Sequence, residues 1–311
     1  MRAFSRSISL MLKALAPLER NSFLHSPSIP WTLLQGNTVY ISLRASICSL
    51  SSQYLLHGHA WPTRHFRRQL SRSVSLEPEV HGVDCEHQDY GDPSFWDRTY
   101  AKGPETLEWY QSYSDIAPLL RRYVPTTCRV LMIGCGNAEI SEDMVKNGYN
   151  EIVNIDNSAV VIKGMQEKYQ HVPQLRYEVM DVLDMSHFGD GSFDSVIDKG
   201  TLDAIMCVVG GPYNAGLMMA EVSRVLRPGG IYILITTGNP ESRLPLLNVK
   251  AFGWHITFYI IPQPDTEMDQ EERARAYKEP VQLNADGTYA DSFVLENPDS
   301  LFVFVCRKTS M

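Results

Sequence analysis

Two pieces of the 311-residue chain combine residue types in a way suited to holding a nucleoside. The apolar run Val130-Leu131-Met132-Ile133 ends in Gly134-Cys135-Gly136-Asn137, and Asp156 follows Gly134 by 22 residues. Glycines let the backbone approach a bound group that a side chain would hold away. A carboxylate closing the next strand can accept hydrogen bonds from both hydroxyls of a ribose. Either piece alone is a common turn or cap. Strand, glycines, helix, strand and acid in that order point to a nucleoside site.

The same loop separates candidate cofactors. In a dinucleotide fingerprint the third glycine allows close approach of the helix that seats a pyrophosphate, and here Glu139 stands in its place. A carboxylate there repels phosphate, whereas S-adenosylmethionine has no phosphate and carries a sulfonium. Asp181, after the strand pattern Leu175–Met180, would then accept from the adenine amino group, a strand-end cap being its alternative role.

Elements that must position these residues are visible as periodicity. Short β-branched runs at Arg129–Ile133, Glu151–Asp156, Leu175–Met180, Phe193–Asp198 and Ile231–Thr236 alternate with helical patterns at Ile140–Asn147, Ser158–Tyr169 and Tyr213–Leu226. Arg227-Pro228-Gly229-Gly230 reads as the stop of the last helix. Trp254–Ile261 and Leu301–Cys306 read as an antiparallel hairpin at the sheet edge, around a polar insert at about 263–298. The expectation is an α/β fold: a doubly wound, Rossmann-like seven-stranded sheet with its last strands antiparallel, over residues 77–311.

Bulk properties narrow the partners. A formal charge of −8 argues against holding nucleic acid electrostatically, which needs clustered Lys and Arg. The six cysteines show no metal or disulfide spacing, so no metal is expected, and no apolar run reaches the roughly 20 residues of a membrane span. From Met1 to Ser75 the composition changes: Glu19 is the single acid, while nine arginines and lysines are dispersed among serines. Residues 1–76 are therefore expected to be a transit peptide, with mitochondrion favoured over plastid; an extension without a targeting role, leaving the protein in the cytoplasm, is the alternative.

Four motifs resemble one group in particular. Phe95-Trp96-Asp97-Arg98-Thr99-Tyr100, Leu107-Glu108-Trp109-Tyr110, the Gly134–Asn137 loop and Asp198-Lys199-Gly200-Thr201-Leu202-Asp203 are similar to class I methyltransferases of the methyltransferase-like type, which includes lysine methyltransferases of elongation factor 1-alpha and of mitochondrial citrate synthase. The resemblance runs from about Phe95 to Trp254. It implies that Trp96, Tyr100 and Trp109 fold over the cofactor and that Gly134, with Cys135 and Gly136, meets its methionine part. It further implies that Asp156 and Asn157 hold the ribose, Asp181 and Val182 line the adenine, and Lys199 reaches into the pocket. Aromatic rings suit such a ligand because they stack on adenine and attract a sulfonium. Many class I members carry an acid for the methionine ammonium where this chain has Met132, so another group or the loop backbone carbonyls are expected to meet that ammonium, and Lys199 is expected at the methionine carboxylate.

Methyl transfer from a sulfonium is an in-line displacement that needs alignment and exclusion of water more than an obligatory base. Asp198, Asp203 and Asn239 follow the fourth and fifth strands and are the candidates for orienting an acceptor, cap or turn roles being the alternative. The resemblance implies a protein lysine as acceptor, on an elongation factor or an organelle enzyme. A small-molecule acceptor, or a silent nucleoside-binding interaction domain, are the competing readings.

Overall fold

The computed structural model describes residues 90, 92–103, 106–263, 266, 269–284, 287–288 and 300–309. The expected transit peptide lies outside these residues, as does most of 285–299 within the polar insert. In chain order the described elements are α1 (Pro93–Tyr100), α2 (Tyr113–Tyr123), β1 (Arg129–Ile133), α3 (Ile140–Lys146), β2 (Glu151–Asp156), α4 (Ala159–Lys168), β3 (Leu175–Val179) and β4 (Phe193–Lys199). They continue with α5 (Thr201–Met206), α6 (Gly211–Val225), β5 (Leu226–Thr236), α7 (Pro240–Leu247), a 3-10 turn (Lys250–Phe252), β6 (Trp254–Ile261), α8 (Gln270–Ala276) and β7 (Leu301–Lys308).

The strands form one seven-stranded sheet in the order β3-β2-β1-β4-β5-β7-β6. Because β1 pairs in parallel with both β2 and β4, with Ile133 opposite Ile155 and Asp198, the strand order reverses at β1. A crevice opens at such a switch point beyond the carboxyl ends of the strands, where α/β sheets bind ligands. Helices cover both faces, so the strands read as continuous apolar runs. Leu131 and Ile133 pack with Met218, Met219 and Val222 of α6 on one face. Val130 and Met132 pack with Ile116 and Leu120 of α2 and Met144 of α3 on the other. Full burial of each such side chain contributes about 1.5–3 kcal/mol, which fixes the strand ends to which the site is attached.

One expectation is corrected in detail and another holds. The Arg227–Gly230 segment does not end the helix before a separate strand: β5 already starts at Leu226, and the pairing passes from Phe193↔Leu226 to Ser195↔Ile231 through a register shift that leaves residues 227–229 exposed. Pro and Gly serve a bulge as readily as a helix stop. The terminal strands do pair antiparallel, from Trp254↔Lys308 to Ile261↔Leu301. They form the sheet edge as expected, with β7 between β5 and β6 and running against both, so that β6 is outermost and parallel to β5.

Candidate cofactor and acceptor site

The turn after β1 is held by β2 and by α5. Cys135 N donates to Ile155 O at 3.0 Å, and Gly136 N donates to Asp156 Oδ2 at 2.9 Å. The other oxygen, Oδ1, accepts from Ser158 N at 2.9 Å. Asp156 is 7% exposed; burial raises its pKa, and the amide donors oppose that by favouring the ionised form. Each oxygen keeps a lone pair for a hydroxyl donor, so Asp156 shapes the loop and can still receive a ribose.

Both loop glycines are required by close approach as well as by backbone conformation. Gly134 has φ +57, and a β-carbon there would stand 2.1 Å from Thr201 Oγ1. Thr201 itself donates to Ile133 O at 2.9 Å, so the Lys-Gly-Thr motif after β4 braces the glycine loop after β1 across the crevice. Gly136 has φ +51, and its β-carbon would meet the Tyr100 hydroxyl at 2.7 Å. Cys135 points into the core below and burial pushes its thiol up, so only its backbone faces a ligand. Asn137 fastens the next segment by accepting from Leu107 N at 2.9 Å.

An aromatic row covers this loop. Trp96 stacks on Tyr100 with centroids 5.9 Å apart and meets Trp109 edge-on at 6.2 Å. Its indole N–H donates to Tyr90 O at 2.6 Å. Helix α1 is fixed over the site by Asp97, which accepts from Ser158 Oγ at 2.6 Å and Val160 N at 3.3 Å at the start of α4. A carboxylate at a helix N-terminus is favoured by the dipole there. Asp97 belongs to a motif quoted above, but its partner 61 residues away is invisible to local pattern.

Several expected residues are engaged by the protein itself. Lys199 was expected at the methionine carboxylate; its ammonium instead pairs with Glu108 and donates to Trp109 O at 2.7 Å, with the side chain 5% exposed. Burial lowers its pKa and Glu108 opposes that shift. Its role in the structure is to anchor the strap that carries Trp109. Asp198, expected near the transfer point, has no exposed surface and caps α5, accepting from Thr201 N at 2.8 Å and Tyr232 Oη at 3.0 Å. Asp203 receives four donors: Tyr110 Oη at 2.7 Å, Thr237 N at 3.1 Å, Arg243 Nη2 at 2.7 Å and the Thr236 hydroxyl. Asn239 is exposed at the rim and caps α7 through Ser242 N at 2.9 Å.

At the adenine end, Asp181 is exposed and accepts from Leu183 N at 2.9 Å, a strand-end turn, while Val182 is buried in the core. Asn157 is half-buried directly after Asp156. Glu139 forms an exposed ion pair with Lys168 at 2.8 Å, which offsets the charge used above against a pyrophosphate.

These residues fit S-adenosylmethionine. Asp156 offers a carboxylate to ribose hydroxyls, the aromatic row offers faces to a sulfonium, and Lys199, the cation at the end of β4 that holds the strap, is already neutralised by Glu108 rather than free for a phosphate. Residues 131–234, from β1 to β5, match the family model described as a methyltransferase domain. The mouse protein EEF1A lysine methyltransferase 4 is 33% identical over 193 residues, covering 55% of this chain and 75% of that one. Its cattle counterpart is 33% identical over 189 residues, 58% of this chain and 72% of that one. The human eEF1A lysine and N-terminal methyltransferase is 40% identical over 190 residues, 60% of this chain but 27% of its own length. Fold and site together define an S-adenosylmethionine-dependent methyltransferase of class I. Within that class, the chain belongs to the family that contains the EEF1A lysine methyltransferase 4 proteins.

Proposed function

We propose that this methyltransferase transfers methyl to the amine of a lysine in a protein, an elongation factor or an organelle enzyme according to the compartment in which it works. The observation that carries this reading is the 33% identity to EEF1A lysine methyltransferase 4 over three quarters of that protein's length. Bound S-adenosylmethionine supplies an electrophilic methyl on a sulfonium. The chain's own residues seat it: the Gly134–Gly136 backbone and Asp156 below, Trp96, Tyr100 and Trp109 above, with Asn157, Asp181 and Val182 toward the adenine.

A lysine amine attacks only when neutral, so the site must strip water and favour loss of a proton. Asp198 and Asp203 contribute by fixing α5 and the strap, since their oxygens are occupied by protein donors, and Asn239 is left at the rim to orient an incoming amine. We further propose residence in the mitochondrion, supported by the basic, serine-rich, acid-poor composition of residues 1–76. In that case the acceptor is an organelle protein.

The test incubates the full chain and tritiated S-adenosylmethionine with separate cytosolic and mitochondrial extracts. Label in a discrete protein band, recovered as methyl-lysine on hydrolysis, is the expected result, and the fraction that contains the band reports the compartment. Label confined to small molecules would overturn the acceptor class. An N-terminus of the mature protein near residues 71–77 is expected on import; an intact Met1 in the cytosol contradicts it.

A further inference from the structure

Tyr110 is the one non-glycine residue among those described with a left-handed backbone, at φ +65. A bulky side chain is rare there, and such strain persists only where surrounding contacts over-determine it. Those contacts are present. The phenol donates to Asp203 Oδ2 at 2.7 Å and lies 3.4 Å from Thr237 Oγ1. The ring lies over Gly200, whose β-carbon would meet it at 3.2 Å. Asp203 is in turn locked by Arg243, an ion pair with side chains 8% and 12% exposed. The space for the Arg243 guanidinium exists because residue 238 is glycine: a β-carbon would stand 2.1 Å from Arg243 Cζ.

The neighbouring peptide is pinned from the other side, where Lys199 holds Trp109 O. A chain of contact then runs from Trp109 to Trp96, from Trp96 to Tyr100, and from the Tyr100 hydroxyl to the space above Gly136. We propose that Tyr110 is a positioning residue for the cofactor: anchored by Asp203 and Arg243, its strained turn sets how Trp109 closes the aromatic row over the glycine loop. The anchor lies at the ends of β4 and β5, so it also ties the cover to the side where the acceptor must arrive. This inference rests on the cofactor site alone and not on which acceptor is used.

The test titrates the full chain with S-adenosylhomocysteine by calorimetry. Wild type must bind; if it does not, the cofactor reading itself fails. Tyr110→Phe removes the hydroxyl, keeps the ring and is expected to weaken binding about tenfold, the effect of one lost hydrogen bond to a charged group. Tyr259→Phe removes a buried tyrosine hydroxyl that pairs with Tyr123 away from the strap and is expected to bind as wild type. Because Tyr110 acts through Trp109, Tyr110→Phe added to Trp109→Ala should weaken binding no further than Trp109→Ala alone. Amide exchange of residues 106–110 in the ligand-free chain should be several-fold faster in Tyr110→Phe than in wild type or Tyr259→Phe. Unchanged affinity in Tyr110→Phe, losses that multiply in the double variant, or unchanged exchange would each overturn the assignment.

Discussion

Thr201 and Gly134 are made for each other: the Thr201 hydroxyl donates to Ile133 O at 2.9 Å and fills the volume a Gly134 side chain would need, 2.1 Å from its β-carbon position. Two motifs 67 residues apart are thereby one structural unit, and the crevice between β1 and β4 has a fixed width.

That relationship gives a first prediction. Gly134→Ala combines a left-handed backbone with an overlap and should cost about 2–4 kcal/mol, with loss of S-adenosylhomocysteine binding. Thr201→Ala alone should cost about 1 kcal/mol for its hydrogen bond. Together the two should be less damaging than their sum by about 1–2 kcal/mol, read from urea unfolding. Strict additivity would show that the contact is not what excludes a side chain at Gly134.

Asp156, the proposed ribose ligand, holds two backbone amides, of Gly136 and Ser158. Asp156→Asn keeps the size but presents N–H to one of those donors. A drop of about 2–3 kcal/mol in stability is expected alongside loss of cofactor binding. A variant that loses only affinity, at wild-type stability, would mean that the carboxylate does not scaffold the loop.

Much of this was legible in the sequence and some was not, for identifiable reasons. Glycines, Asp156 and the β-branched runs are local signals, and they placed the loop and five parallel strands correctly. Thr201, Asp97 and Tyr110 gain their roles from partners 61–93 residues away, which no local period encodes. The bulge at residues 227–229 and the insertion of β7 between β5 and β6 depend on strand pairing, and Pro-Gly-Gly specifies a turn without saying which. Lys199 is expected at the ligand from the resemblance alone, and its partner Glu108, 91 residues away in sequence, is not visible to local pattern.

The Lys199–Glu108 pair separates two roles for the lysine. If Lys199 acts by anchoring the strap, Glu108→Gln should weaken S-adenosylhomocysteine binding nearly as much as Lys199→Met, and leaving the buried ammonium unpaired should cost about 1–2 kcal/mol, less than a fully enclosed pair because Glu108 is 31% exposed. Isothermal titration of the two variants decides it. A loss confined to Lys199→Met would return the lysine to direct contact with the ligand.

Burial, with Asp203 nearby, pushes the Asp198 carboxyl up from 3.8 to about 7. Folding then takes up a proton between those two values, so this group's contribution to stability is largest below pH 3.8 and is lost as pH rises toward 7. Within the window the slope is about −1.4 kcal/mol per pH unit. Urea unfolding of wild type and Asp198→Asn from pH 5 to 8 should show wild type losing stability relative to the variant as pH rises. Parallel profiles would contradict the shift.

The most direct measurement is tandem mass spectrometry of purified elongation factor 1-alpha, and of mitochondrial matrix protein, after incubation with the full chain and S-adenosylmethionine. Mass increments of whole methyl groups on a defined lysine, absent with Asp156→Ala, are the predicted result. A chain that binds S-adenosylhomocysteine yet leaves every lysine in both preparations unmodified would contradict the proposed activity.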